Sequence, residues 1–437
     1  MSLFKKLSKN AIVRNTFWSS FGNSFLTLIS FIASIFVIRN LAASEYGKLQ
    51  EAFAYFVILQ QTENLVNPPQ FKKYLINNPH ESESLISNYG LFILIIGITL
   101  ILLVLGAYVV SGFEPHFLLL AILLMAQPFR FTNGITLYFD ANLESKKTQI
   151  SLNSGNTLSN ICKVVFSYLS PLALWQTLTQ PIQYATAACI HLYQYKRGGA
   201  SFRMADWNFK PLFSLISQCF PIFLATICEV ARSRVAFIII GAALGEEALG
   251  VFAVGAKFNE PWIFIASAIG ISFWPRLVKC RSENPESYQS ELHIFFGITF
   301  YIFLIFALGG FLFGDWIIPL LAKEKYVASV FVYKILALVL LCQALESSYV
   351  LGEINEGAFR HSLARNLFGL VLSGALVYLG LLWNGVDGAS IGVLLASFTV
   401  VFIWPLFFRR TRKLAVALWT SPFAFPVSAL KKRRSLR

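Results

Sequence analysis

Charge is what this 437-residue chain has least of. Only 13% of its residues are Asp, Glu, Lys or Arg, against about a quarter in an ordinary soluble domain. That excludes a water-soluble globular protein of this length. Cysteine is sparse: Cys162, Cys189, Cys219, Cys228, Cys280 and Cys342 form no CxxC pair, which excludes a disulfide framework and a thiolate metal site. The five histidines are scattered, and no HExxH or P-loop occurs. No metal site and no catalytic constellation is expected, so the chain reads as something other than an enzyme, with no resident cofactor.

Apolar side chains fill that space. They make up 56% of the residues, the mean hydropathy is +0.63, and they fall in blocks of roughly 20 separated by short polar breaks. Backbone groups in lipid are satisfied only by helices or closed barrels, and these blocks are too long and uniform for barrel strands. The fold class is therefore an all-α polytopic membrane protein. Twelve helices are expected, near 16–38, 47–66, 88–110, 116–139, 149–170, 172–194, 212–241, 249–273, 291–318, 328–350, 363–383 and 387–408. The first is read as an uncleaved span, because its apolar run is too long for a signal-peptide core.

The net charge is +14. No basic stretch interleaves with aromatics on a folded module, so nucleic acid is not the expected partner. Membrane orientation accounts for the excess. Lysines and arginines cluster at the N-terminus, in alternate loops (Lys72, Lys73; Lys146, Lys147; Lys196 to Lys210; Arg276 to Arg281; Arg360, Arg365) and after Arg409. The opposite loops hold only Arg39, Lys48, Lys323 and Lys325. The positive-inside rule then puts both termini in the cytoplasm.

A faint repeat divides the chain. "VIRNLAASEYGKLQEAFA" joins helices one and two, and "IIGAALGEEALGVFAVGA" joins helices seven and eight about 203 residues later. An offset of six spans keeps both copies in one orientation. The expected organisation is a six-helix bundle over 1–200, a second over 201–413, and a basic cytoplasmic tail over 414–437, with a short amphipathic piece broken at Pro422 and Pro426.

Six cations lie inside spans: Arg130, Lys163, Arg232, Arg234, Lys257 and Lys334. Such residues are costly in lipid and usually mark a substrate path. Arginine suits phosphate, so an anion site is the reading, with ion pairing and snorkelling as the bland alternatives. Glu229 with Arg232, and Glu260 with Lys257, have i,i+3 spacing. Arg232 and Arg234 stand about 200° apart on a helix, so one is expected to reach a cavity and the other a neighbour. Ser20, Asn23, Thr27, Ser30 and Ser34 in helix one, Gln60 and Asn64 in helix two, and Asn153, Asn156, Asn160, Lys163 and Ser167 in helix five form polar stripes. These read as lining a hydrated cavity, with interhelical bonding as the alternative.

"LGEEALGVFAVGAKFNEPWIFIASAIGISFWPRL" (244–277), "LAASEYGKLQEAFA" (41–54) and "GVDGASIG" (385–392) resemble segments of the Wzx-type O-antigen and polysaccharide flippases. These belong to the multidrug/oligosaccharidyl-lipid/polysaccharide (MOP) exporter superfamily. The resemblance implies two six-helix bundles arranged as a V around a cationic cavity, in a bacterial inner membrane. It implies export of an undecaprenyl-pyrophosphate-linked oligosaccharide by alternating access, beside glycosyltransferases and a polysaccharide polymerase. Proton or sodium coupling, known in several members, would fall to Glu229 or Glu260. A multidrug or other small-molecule exporter of the same fold is the alternative.

Overall fold

A computed structural model describes residues 11–199, 209–283, 285–357 and 359–435. Among them every regular element is helical. The chain separates into two compact units, Met1–Ile227 and Cys228–Arg437. That boundary falls inside a helix.

The first unit contains α1 (Ala11–Asn40), α2 (Ala43–Gln60), α3 (Pro68–Asn77) and α4 (Ser82–Val110). Next come α5 (Pro115–Leu124), α6 (Ala126–Phe129), α7 (Asn133–Ala141), α8 (Ser145–Leu169), α9 (Ala173–Thr177) and α10 (Thr179–Arg197). α3 and α5 open on proline, which suits a first helical turn because its missing N–H has no intrahelical partner there. The turn between α4 and α5 is set by Gly112 at φ 76°, a backbone state that costs glycine nothing. The fourth expected span is not one helix. It is α5, α6 and α7 joined end to end, with a 3₁₀ turn at Arg130–Thr132. One apolar core gathers Phe71, Leu85, Ile86, Tyr89, Ile135 and Phe139. Another gathers Phe56, Leu119, Leu123 and Leu124.

The second unit begins within α11 (Lys210–Lys257). It continues with α12 (Ile263–Glu283), α13 (Pro285–Ala322), α14 (Ser329–Asn355), α15 (Phe359–Phe398) and α16 (Arg409–Ser435). The expected breaks between spans seven and eight, and eleven and twelve, shrink to sharp corners. One is Gly245 at φ 82°, ψ −178°. The other is Asn384–Gly385, with Gly385 at φ 52°. Beyond the second corner the chain folds back on itself closely. A Cβ on Gly392 would strike the Leu376 carbonyl oxygen at 2.3 Å, so these glycines serve helix packing. The run Gly388–Gly392 has the G-x-S-x-G spacing of a hydrolase turn, yet it is helical. Ser390 is fully buried there and gives its hydroxyl to the Asp387 carbonyl at 2.7 Å.

The segment expected to be a broken tail is instead a helix that passes through both Pro422 and Pro426. Leu414, Ala417 and Leu418 are buried against Leu292, Phe295 and Tyr349, which holds the helix despite its lost backbone bonds.

Among the described residues, six stretches are long and apolar enough to cross a membrane by length and composition, and two of them, Lys210–Glu283 and His361–Phe407, contain a corner. Large apolar side chains such as Leu102, Leu103, Ile305 and Leu312 are more than 60% exposed, as lipid-facing positions must be.

Candidate functional site

Each intramembrane cation finds a defined place. In the first unit, α2 ends in a 3₁₀ turn, Gln61–Leu65, which carries Glu63 against the turn at Arg130. Arg130 and Glu63 form a buried ion pair. The other Glu63 oxygen accepts a hydrogen bond from Asn133 at 2.7 Å, and the Arg130 guanidinium lies 4.5 Å from the centroid of the Tyr184 ring. Asn64 donates to Gln61 within the same turn. Arg130 is thus a structural cation, sealed by a carboxylate.

The stripes of α1 and α8 face each other. Ser30 donates to Asn156 at 3.1 Å, Asn160 donates to Ser30 at 3.1 Å, and Asn40 donates to Ser167 at 3.1 Å. Lys163 donates to Asn160 at 3.3 Å. The groove beside them, lined by Ile29, Ile32, Ile161 and Val165, is apolar apart from Asn160 and Thr157. Bonding between helices therefore accounts for Asn156 and Asn160, where a hydrated cavity was expected: a side-chain amide in an apolar slab gains more from a fixed partner. The Asn153 carbonyl oxygen is buried without a hydrogen bond. The Asn23 side chain lies outside the described residues.

In the second unit, Lys334 pairs with Asp315 at 2.5 Å and Lys257 with Glu260 at 2.6 Å. The expectation is that at least two of Arg130, Lys163, Lys257 and Lys334 line a cavity; ion pairs and hydrogen bonds engage them here. Three of the four are ion-paired and the fourth is hydrogen-bonded.

Arg232 and Arg234 are different. Both line one cavity of about 470 Å³, together with Phe237, Phe252, Asn259, Glu260, Gln343, Ser373 and Ser397. Opposite sides of a helix do not keep them apart, because an arginine stem is long enough to bend toward a polar space. The Arg232 guanidinium donates to Glu346 at 2.6 Å, not to Glu229. Arg234 stands 4.0 Å from Glu260, and its guanidinium is 5.4 Å from the centre of the Phe237 ring. Gly369 makes room for Arg232: a Cβ there would come within 2.8 Å of the Arg232 Cδ.

Behind the cavity runs a chain of charges that the sequence reading did not assemble. The Glu346 oxygen that Arg232 holds is also 3.7 Å from Arg365. Arg365 reaches on to Glu353 at 3.3 Å and stands over the Tyr349 ring. Charge patterning places Arg365 in a loop, yet its side chain is only 1% exposed. Glu229 lies within electrostatic reach of Glu346, Arg232 and Arg365. The overlooked signal is Glu346 and Glu353, seven residues apart in an apolar helix and hence on one face.

This geometry can hold an anion. Around Glu260 stand Arg234 and Lys257, an excess of one positive charge. Arg232 is held at a carboxylate that has a second guanidinium in reserve. The volume lies in the range that small ligands occupy.

Among curated proteins none matches the chain. Several solved structures share its fold. A multidrug resistance transporter of the MATE family, in the MOP superfamily and inward-facing, has a TM-score of 0.70 at 14% identity, over 94% of this chain and 96% of that one. The lipid II flippase MurJ, inward closed, has a TM-score of 0.68 at 11% identity, over 95% and 99%. A mutant of the Vibrio cholerae MATE transporter VcmN has a TM-score of 0.60 at 15% identity, over 99% of each. At these identities the likeness establishes the fold: a membrane-spanning, all-helical protein of the MATE and MurJ type. The sequence itself matches the polysaccharide biosynthesis protein family over residues 37–331. With two thirds of its length matched, and with the fold of MOP-superfamily transporters, the chain belongs to the polysaccharide biosynthesis protein family, as its likeness to Wzx-type flippases had indicated.

Proposed function

We propose that the protein is a flippase that carries an undecaprenyl-pyrophosphate-linked oligosaccharide, an O-antigen or other polysaccharide repeat unit, across the bacterial inner membrane by alternating access. The observation that carries this reading is the second unit's cavity, with Arg232 and Arg234 in its wall. A pyrophosphate entering an apolar slab loses water, and only a fixed countercharge offsets that loss. Arg234 is held loosely by Glu260, while Lys257 holds Glu260 closely, so Arg234 can turn to a phosphate without stranding a carboxylate. Arg232 is held more tightly, donating to Glu346 at 2.6 Å, with Arg365 3.7 Å from the same oxygen.

Coupling to a proton or sodium ion belongs to the same reading. Among the described residues Glu229, Glu346 and Glu353 share two guanidiniums, Arg232 and Arg365, which leaves one carboxylate for a cation to neutralise. Glu229 is the candidate, in place of Glu260, which its two cations occupy. In this reading the chain has twelve crossings, its N-terminus lies in the cytoplasm, and glycosyltransferases and a polymerase supply and consume its cargo.

The test is export of lipid-linked glycan in cells carrying Arg234→Ala or Arg232→Ala, with protein level measured first. Loss of export at normal abundance in at least one variant supports the reading. Full export in the double variant overturns it. The MATE-type fold keeps one rival in view: resistance to cationic dyes, conferred by the unaltered protein, would favour a multidrug exporter.

A further inference from the structure

A second recess opens in the second unit, away from the cavity. It measures about 570 Å³ and lies between the first turns of α13, at Gln289 and His293, and the first turns of α16, at Arg409, Arg412, Lys413 and Val416. The two helices run side by side in the same direction. His293 meets Thr420 at 3.1 Å, the Tyr301 hydroxyl donates to the Pro422 carbonyl at 2.7 Å, and the Phe425 ring packs against Tyr301. The apolar stretch of α13 begins at Ser287. The recess therefore sits beside the start of that apolar stretch.

Its charge has one sign. No Asp or Glu lines it. All three cations are exposed, and no ion pair to them occurs among the described residues. The nearby carboxylate of Glu291 is committed to Arg276 at 2.8 Å. One face of α16 then continues the recess as bare apolar surface: Val416 is 49% exposed, Trp419 44% and Phe423 83%, at spacings of three and four that share a helix face.

We infer that this recess holds the phosphate of an anionic membrane lipid, with its acyl chains along the Val416–Phe423 face. Guanidinium groups grip phosphate oxygens in pairs, His293 and Gln289 add neutral donors, and a charged mouth continuous with an apolar wall matches an amphiphile better than a free ion. Basic clusters at a membrane surface attract anionic lipid in any case; here a recess gives the attraction a place. The bound lipid would fasten α16, whose prolines weaken its own backbone bonding, to α13.

The experiment uses the full-length protein in detergent, titrated with dioleoylphosphatidylglycerol or dioleoylphosphatidylcholine and read by native mass spectrometry. The unaltered protein is expected to retain the anionic lipid at least tenfold more strongly than the zwitterionic one. Arg409→Ala/Arg412→Ala/Lys413→Ala should abolish that preference. Val416→Trp, which fills the recess and keeps every charge, should weaken retention of the anionic lipid by a similar factor. Lys279→Ala/Arg281→Ala, which removes exposed charge elsewhere in the second unit, should change nothing. Unaltered retention in the triple variant, or in Val416→Trp while the triple variant loses it, overturns the site. Equal loss in the Lys279/Arg281 control reduces it to surface charge and overturns it too. Inorganic phosphate that displaces the lipid and is itself retained as strongly would make the ligand a free phosphate, which also overturns the lipid assignment.

Discussion

At the scale of single residues, the cations within the apolar helices divide by what holds them. Arg130, Lys257 and Lys334 are bound by carboxylates and belong to the framework. Arg234 is 4.0 Å from its acid and faces the cavity. Arg234→Ala is therefore expected to leave protein abundance within about twofold and to cut glycan export at least tenfold, while Arg234→Lys restores part of it, since an ammonium lacks the planar fork. Arg365 should behave in the opposite way. It is the only guanidinium within reach of Glu353 among the described ion pairs, and removing one partner of a buried pair costs about 3–5 kcal/mol. Arg365→Ala should lower the melting temperature and the yield of purified protein, and Glu353→Gln in the same chain should recover much of the loss. Equal stability of Arg365→Ala and the unaltered protein would mean that the charge chain carries no load.

At the scale of elements, two glycines set where the arginines can be. Gly369 on α15 leaves the space that the Arg232 stem fills. Gly369→Ala should reduce export more than it reduces stability, because the added methyl displaces the side chain rather than the helix; a melting curve beside an export assay separates the two. Gly245 turns α11 at φ 82°, ψ −178°, a region that side-chain-bearing residues enter at a cost of about 1–3 kcal/mol. Gly245→Ala should thus destabilise the protein by that amount, read from its thermal unfolding. The polar stripes of α1 and α8 show the limit of periodicity. Spacing of three and four places Ser30, Asn156 and Asn160 on helix faces, but it is silent on whether a face meets water or another helix. Here α1 and α8 satisfy each other.

At the scale of the whole molecule, the distribution of lysine and arginine predicts which loops share a side. Single cysteines at Lys147 and Lys279, in a chain freed of its six native cysteines, should react with a membrane-impermeant maleimide only after the cells are opened. Cysteines at Lys323 and Lys325 should react in intact cells. The reverse pattern would overturn the orientation that the proposed direction of transport requires.

The sequence by itself determined the class of fold and the path of the chain. Runs of apolar residues in lipid have one local solution, a helix, because each backbone group must find its partner nearby. That is why the expected segments are found as helices while their joints moved: to Gly245, to Asn384–Gly385, into the pieces around Arg130, and into the expected eighth span, where α11 ends at Lys257 and α12 begins at Ile263. The sequence also marked Arg232, Arg234 and the Lys257–Glu260 pair, since isolated charge in an apolar run stands out and an i,i+3 contact is local. The tertiary structure alone decided which charges are spent. Arg130 meets Glu63 from 67 residues away and Arg232 meets Glu346 from 114 residues away. Arg365 left its presumed loop for the core, and α16 became a packed helix instead of a tail. Each of those outcomes depends on which helix faces lie together, and a charge's cost in lipid is set by its neighbours in space.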